Sequence, residues 1–435
     1  MSELTDQLRN GVVPAGQLAR ALGVSPPTLS RQVRAERSRV VALGRARATR
    51  YGLRREIQDL EPEIPVLRID ASGKPHSAGA LVVLAGRQTA WLPAGEVFEG
   101  LPPEVFDMAP SGYMGRAFPG QHSDLPLPTR ISDWSNDHIL IALARRGEDV
   151  GGNLVLGEES IERWFSRSPL PVTRIDYPRL AEAAAAGEPA GSSAGGERPK
   201  FGAYVNGRHN IVKFVPRGDL IAQRWEDLLR LEALALDVLR EGGIAAVEAE
   251  LVETKPHIFL EIVRFDRVGE RGRRAMISLA AAHQDPTVSW ARAANSLRAS
   301  GVLSNEDSRR LQLNEAFARL IANEDRHHHN IALLPENDSV GDATAARRAR
   351  FRLAPAFDHL PTLYAPTSDG QLRNRDFVPP TPTADTWEVW DRAATLAMTF
   401  WRRAGEDETL SVPMREIAGR NLRLLERIPV HGEEP

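Results

Sequence analysis

Apolar and polar positions change pattern several times along the chain. Near the start, Leu18, Ala19 and Leu22 recur at helical spacing until Gly23 interrupts them. Ser25 then stands where it can cap a second helix, with Pro26 in its first turn and Leu29 and Val33 facing inward. Two short helices joined by a tight turn make a helix-turn-helix pattern. The stretch Val40 to Leu43, Gly44, then Arg45, Arg47, Thr49, Arg50 and Tyr51 reads as the hairpin of a wing. An acidic, proline-bearing run from Ile57 to Pro65 predicts a linker. Val66 to Ile69, Ala80 to Leu84 and Gln88 to Trp91 predict short antiparallel strands, whereas residues 95–130, rich in Pro and Gly, carry no clear period. Ile139 to Leu143 predicts a helix end and Asn153 to Leu156 a strand. Farther on, Tyr204 to Val205 and Ile211 to Val215 predict two strands around an Asn206-Gly207 turn. A long helix from Leu220 to Arg240 follows, with Trp225, Leu228, Leu229, Ala235, Leu236 and Leu239 on its apolar surface. The apolar strand from His257 to Val263 turns abruptly polar at Arg264, and a helix is expected from Ser304 to Ile321.

The early pattern has a consequence for partners. In a helix-turn-helix the second helix enters the major groove, so Thr28, Ser30, Arg31 and Gln32 are the candidate base readers. Arg45, Arg47 and Arg50 extend a basic strip suited to phosphates. The other reading is a helical interaction module with a solvated basic face. A formal net charge of -3 over 435 residues means that any DNA contact comes from a local patch, and the length allows more than one core. The absence of cysteine excludes disulfides, thiolate metal sites and cysteine nucleophiles. The apolar stretches are short and interrupted, and the first residues lack an export pattern, so a cytoplasmic protein with no membrane partner is expected.

Candidate chemistry lies in the second half. Ser192, Ser193, Ala194, Gly195, Gly196, Glu197, Arg198, Pro199 and Lys200 mix small residues, hydroxyls and basic groups. Such a loop lets backbone amides approach phosphate oxygens, although a plain connecting loop has the same composition and the P-loop ending is lacking. Lys213 sits among apolar residues of a predicted strand, where it either snorkels to solvent or holds phosphates, and Glu232 on the long helix can orient it. Backbone groups of Glu261, Ile262 and Val263 suit an adenine edge; a core strand ending in a charged turn is the alternative. Asp325 and Asn330 have the spacing of an aspartate beside an acceptor hydroxyl and an oxygen ligand for magnesium. Leu353 to Phe357 is an apolar approach to Asp358, a carboxylate able to bridge a metal to nucleotide phosphates. Three adjacent histidines, His327, His328 and His329, cannot all converge on one ion, so His327 is read as bracing the loop and the other two as solvated or near substrate.

Four segments in this order, SSAGGERPKF from Ser192, IVRFDR from Ile262, NEDRHHHN from Asn323 and LAPAFD from Leu353, resemble the HipA family of toxin kinases. The arrangement is similar to its YjjJ-type branch, in which a DNA-binding domain precedes the kinase. The resemblance implies an α+β fold: a winged helix-turn-helix domain over 1–56, a β-rich subdomain over 66–157, and kinase lobes over 158–262 and 263–430. It implies ATP and magnesium as cofactors and serine or threonine hydroxyls of a protein as acceptors. By it, Lys213 contacts phosphates, Glu261 and its neighbours line the hinge, Asp325 is catalytic, Asn330 and Asp358 hold magnesium, and Ser192 is the autophosphorylated serine with Ser193 beside it. Phosphorylation there would add roughly two negative charges to the nucleotide loop. Where the family commonly has glutamine in that loop, this sequence has Glu197. Family members pair with a separate helix-turn-helix antitoxin that binds operator DNA; here such a domain would be fused, and a palindromic site would match a homodimer. The competing reading is a transcriptional regulator with an inactive kinase-like domain.

Overall fold

A computed structural model describes residues 2–58, 60–186, 198–283, 285–336, 350–367, 370–372 and 375–427. The expected nucleotide loop, Ser192, Ser193, Ala194, Gly195, Gly196 and Glu197, lies outside the described residues.

The first unit consists of α1 (Glu3–Gln7), β1 (Val13–Pro14), α2 (Ala15–Ala21), α3 (Pro26–Ala35), β2 (Val40–Leu43) and β3 (Arg50–Leu53). Gly23, at φ +63°, takes the left-handed conformation that ends α2, and the Ser25 hydroxyl caps α3 by accepting the Thr28 N–H. The three strands pair antiparallel in the order β1-β3-β2, with Val40 opposite Leu53 and Leu43 opposite Arg50. Leu4, Leu8, Leu18, Leu29, Val33, Val40 and Tyr51 fill its core.

The stretch read as a linker is not one. Ile57 is buried in the next core and β4 (Ile64–Ile69) begins inside that run. One face of β2 is also covered: Val41 and Leu43 pack with Val82, Leu84 and Ala90 of β5 (Pro75–Leu84) and β6 (Gln88–Leu92). Polar ties add to this contact. Gln88 Oε1 accepts from Val12 N at 2.8 Å, and the Arg55 guanidinium makes a bidentate pair with Asp137 at 2.6 Å per bond. The first unit therefore docks on the second.

With β7 (Glu96–Glu99) and β8 (Leu154–Leu156) those strands form a five-stranded sheet in the order β7-β6-β5-β4-β8. Its helices are α4 (Pro103–Asp107), α5 (Gly112–Gln121), α6 (Asn136–Arg146) and α7 (Glu158–Ser166). Residues 95–130 thus hold a strand and two helices that no period announced. The helices are short, and Pro119 lies within α5, so the apolar repeat never runs long enough to stand out.

After α8 (Tyr177–Ala186) comes a four-stranded sheet of β9 (Lys200–Val205), β10 (Arg208–Pro216), β11 (Ala249–Glu253) and β12 (His257–Val263), ordered β11-β12-β10-β9. Asn206 and Gly207, both at positive φ, make the turn between β9 and β10. The long helix α9 (Leu220–Glu241) serves two cores. Leu229, Ala233 and Leu236 pack on Val215, Ile258 and Leu260 of this sheet. Leu228, Leu231, Ala235 and Leu239 face a helical lobe containing Phe317, Trp390, Phe400 and Trp401. That lobe runs through β13 (Arg267–Val268), β14 (Gly272–Arg273), β15 (Ile277–Ser278), α10 (Leu279–Ala282), α11 (Trp290–Ala299) and α12 (Asn305–Leu320). It ends with β16 (Ala332–Pro335), β17 (Phe351–Leu353), α13 (Trp390–Glu406) and α14 (Val412–Leu425).

The charged turn after β12 joins the middle unit to this body. Asp266 accepts hydrogen bonds from Arg264 at 2.9 and 3.0 Å, from Arg267 at 2.6 Å and from the Gly152 amide at 3.0 Å. Arg267 also reaches Asp149 and the Val150 carbonyl. Burial opposes the Asp266 charge, yet Arg264 and Arg267 outweigh it and hold the carboxyl well below the usual carboxylate range. Stability from this group is present above the unfolded-state pKa and is lost as pH falls through the folded one. Replacing Asp266 by Ala removes the carboxylate shared by two buried guanidinium groups, leaving Asp149 as their remaining acid, and should cost about 3–5 kcal/mol, read as a lower urea midpoint. The wild-type advantage should fade as pH falls below about 4.

Candidate active site

The alternation of β10 sets the site. Lys213 lies opposite Leu260 on β12 and opposite Lys200 on β9, so its side chain shares the face covered by α9. There it is buried and meets Glu232, which is 0% exposed, at 2.6 and 2.8 Å to the two carboxylate oxygens. Lys213 Nζ also reaches Asp358 Oδ1 at 2.6 Å. Two consecutive elements and a segment 145 residues farther along converge on one ammonium.

The electrostatics follow from that sharing. Burial works against the Lys213 charge, but Asp358 and Glu232 outweigh it and hold the ammonium above the ordinary lysine range. Burial likewise opposes the Asp358 charge, and Lys213 with Lys200 overcomes it, so this carboxyl stays ionised far into the acid range. Glu232, wholly enclosed, is pushed upward by burial, against the pull of Lys213 and with the added repulsion of the Asp358 charge.

Asp325 and Asn330 lie on the loop between α12 and β16. The Asp325 carboxylate is exposed, whereas Asn330 is buried and donates from Nδ2 to the Asp325 carbonyl at 2.9 Å. That bond leaves the Asn330 amide oxygen as the acceptor end of the side chain. His327 is exposed, with Nε2 at 3.8 Å from Asp325 Oδ1.

Several residues stand differently from the sequence reading. The histidine that braces the loop is His328, not His327: it is buried and bonds the Val288 carbonyl at 2.8 Å. Burial pushes its pKa down. Glu261, Ile262 and Val263 do not present a free backbone edge. Glu261 and Ile262 pair with β10 on one side and β11 on the other, and Val263 gives its N–H to Glu248. The Glu261 carboxylate points to the opposite face of the sheet from Lys213, where it accepts from Tyr177 at 2.5 Å and Arg174 at 3.1 Å. Among the candidate DNA readers, Ser30, Arg31, Gln32, Arg45 and Arg47 are exposed. Thr28 is half-buried, its hydroxyl 3.0 Å from the Ser25 cap, and Arg50 donates to the Gly95 carbonyl of the middle unit at 2.8 Å, which takes it from the expected phosphate strip. Thr362, absent from the sequence reading, contacts the Asp325 loop; no spacing rule singles out a threonine in a short irregular turn.

The family model described as the HipA-like C-terminal domain matches residues 192–417, and the one described as the middle domain of YjjJ-like toxins matches residues 60–165. The chain belongs to the family of HipA-like toxins, on its YjjJ-like branch. One relative is the Toxin YjjJ of Escherichia coli strain K12, 37% identical, with 96% of each chain covered. Among solved structures, the HipA toxin–antitoxin system of Shewanella oneidensis MR-1, determined with HipB and its operator DNA, is similar in fold. The TM-score is 0.52 at 13% identity, covering 86% of this chain and 96% of that one. Among the described residues no helix is long and apolar enough to cross a membrane.

The shared ammonium generates a double-mutant test. Lys213→Met removes the counter-ion from the enclosed Glu232 and from the half-buried Asp358 and should destabilise by about 3–5 kcal/mol, whereas pairing it with Glu232→Leu should recover a large part of the loss. Thermal or urea unfolding of both variants checks this; simple additivity would contradict the sharing.

Proposed function

We propose that this protein is an ATP- and magnesium-dependent kinase that transfers a phosphoryl group to a serine or threonine hydroxyl of another protein, with DNA binding through its N-terminal unit acting as a winged helix-turn-helix domain. The observation that carries the reading is the meeting of Lys213, Glu232 and Asp358 beside the loop that bears Asp325 and Asn330. The donor set fits a hard divalent cation: an ionised carboxylate from Asp358 and an amide oxygen from Asn330.

Bound magnesium and ATP supply the transferable phosphoryl group and neutralise its charge. In this chain Glu232 fixes the Lys213 ammonium, which would reach phosphate oxygens once Asp358 turns toward the metal. Asp358 and Asn330 would then hold the ion. Asp325, exposed to solvent, would receive the proton of the acceptor hydroxyl, with His327 close beside it. Ser192, next to Ser193, is the proposed site of self-phosphorylation. Ser30, Arg31 and Gln32 on exposed faces of α3 would meet base edges, and Arg45 and Arg47 at the hairpin would contact phosphates.

Incubation with labelled ATP, magnesium and cell extract should label the chain or a target protein, and Asp325→Asn or Asp358→Asn should reduce transfer by at least about a hundredfold. Undiminished labelling in both variants would remove the assignment. Wild-type protein that binds DNA but transfers no phosphate would leave the regulator reading.

The DNA contact has its own measure. Replacing Arg45 and Arg47 together by Ala should flatten the dependence of log affinity on log salt by about 2. Retention of the wild-type slope would show that the hairpin does not touch phosphates.

A further inference from the structure

Two acids assigned to one reaction come from segments far apart in sequence, and a specific bracket links them. Asn323 is buried, and its Oδ1 accepts from Asp325 N at 2.9 Å and from the Thr362 hydroxyl at 3.1 Å. Its Nδ2 donates to the Asp358 carbonyl at 3.5 Å. Thr362 Oγ1 in turn accepts from Glu324 N at 2.7 Å and Asp325 N at 3.1 Å. A hydroxyl offers one donor and two acceptor positions, and here all three are used. Leu363 N completes the cross-link by donating to the Ala322 carbonyl at 3.1 Å.

The bracket extends to both proposed metal ligands. Asn330 hangs from the Asp325 carbonyl, so whatever fixes the Asp325 backbone also aims the Asn330 amide. Asp358 takes a left-handed conformation at φ +58°, unusual for a residue with a side chain, and needs local support. His359 provides some: its ring lies buried beside Trp290 and Phe317, and Nδ1 bonds the Phe357 carbonyl at 2.8 Å, spanning Asp358. Trp290 also donates from Nε1 to the His327 carbonyl at 3.3 Å, joining the same support to the Asp325 loop.

We propose that Thr362 is a positioning residue: through Asn323 it holds Asp325 and Asn330 at a fixed spacing from Asp358, so that the metal ligands are aligned before the ion arrives. This rests on the kinase reading above. Thr362 touches backbone and amide groups rather than reacting atoms, so its effect is transmitted through the residues it holds. Loss of a direct hydrogen-bond partner of a metal ligand typically costs about 10–100-fold in metal affinity; Thr362 acts one bond further out, through the Asp325 backbone and Asn323, so the low end is expected.

The test titrates magnesium into the full chain in the presence of a fluorescent, non-hydrolysable ATP analogue. Thr362→Val keeps the shape and removes the hydroxyl; Thr362→Ser keeps the hydroxyl. The valine variant should raise the half-saturating magnesium about tenfold, serine should return it to within about twofold, and analogue affinity at saturating magnesium should change by less than about twofold. A threonine that merely satisfied buried amides would lower the folded fraction, seen as lost signal amplitude, with the half-saturation point unmoved. That outcome, or equal shifts in both variants, overturns the proposal. Should the valine variant not fold, Thr362→Ala carries the same measurement. Wild-type protein without magnesium-dependent analogue binding would overturn the kinase reading itself, whereas normal wild-type binding with an unshifted valine variant overturns only the bracket.

Discussion

A single buried ammonium shared by two carboxylates organises the centre of this protein. Lys213 and Glu232 are enclosed only because each answers the other's charge, and Asp358, whose side chain is 30% exposed, adds a second, partly exposed acid. Because β10, α9 and the segment after β17 each contribute one member, the trio also fixes how those elements meet. Lys200 also acts on both Asp358 and Glu232, so the two acids stand among two lysines. Were Asp358 drawn away, Lys213 would remain held by Glu232.

The helix that carries Glu232 is unusually constrained for a site element. One face of α9 belongs to the core of the four-stranded sheet, and another belongs to the core shared with Phe317, Trp390 and Trp401. Packing to interior density on two sides leaves little freedom to shift or rotate. The position of Glu232 is thus held largely by hydrophobic contacts on two sides of its helix. The middle unit adds ties to both regions: Asp107 accepts from Ser278 N and Oγ at 2.5 and 2.7 Å, and Tyr113 donates to the Ala184 carbonyl at 3.2 Å. With the Asp266 network and the apolar contact under β2, the unit proposed to read DNA is packed against a unit that is itself anchored to the body bearing Lys213 and Asp358.

Local chemistry was readable from the residues wherever a short-range rule applied. Gly23, Ser25 and Pro26 announce the turn and cap of α3, Asn206-Gly207 announces a hairpin, and the repeat from Leu228 to Leu239 announces α9. Asp325, Asn330 and Asp358 were picked out by residue type and spacing, and the structure places them in neighbouring segments of one region. The errors share a cause. Ile57 and Ile64 sit in an acidic, proline-bearing run whose burial depends on a sheet formed by residues later in the chain. Arg50 looked available for phosphate until Gly95 was brought beside it, and Glu261 looked like a hinge residue until strands closed on both of its sides.

The order of residues by itself determined the helices, turns and hairpins governed by neighbours a few positions apart, and it named the groups with the right acidity, charge and oxygen atoms. Only the folded chain decided which of those groups meet. It gave Lys213 two partners instead of one, chose His328 over His327 to pin the loop, and placed an unremarked Thr362 against Asn323. Such choices depend on contacts between positions tens to hundreds of residues apart, and on which backbone groups remain unsatisfied once the sheets have formed. No local spacing carries that information, because it exists only after the elements have packed.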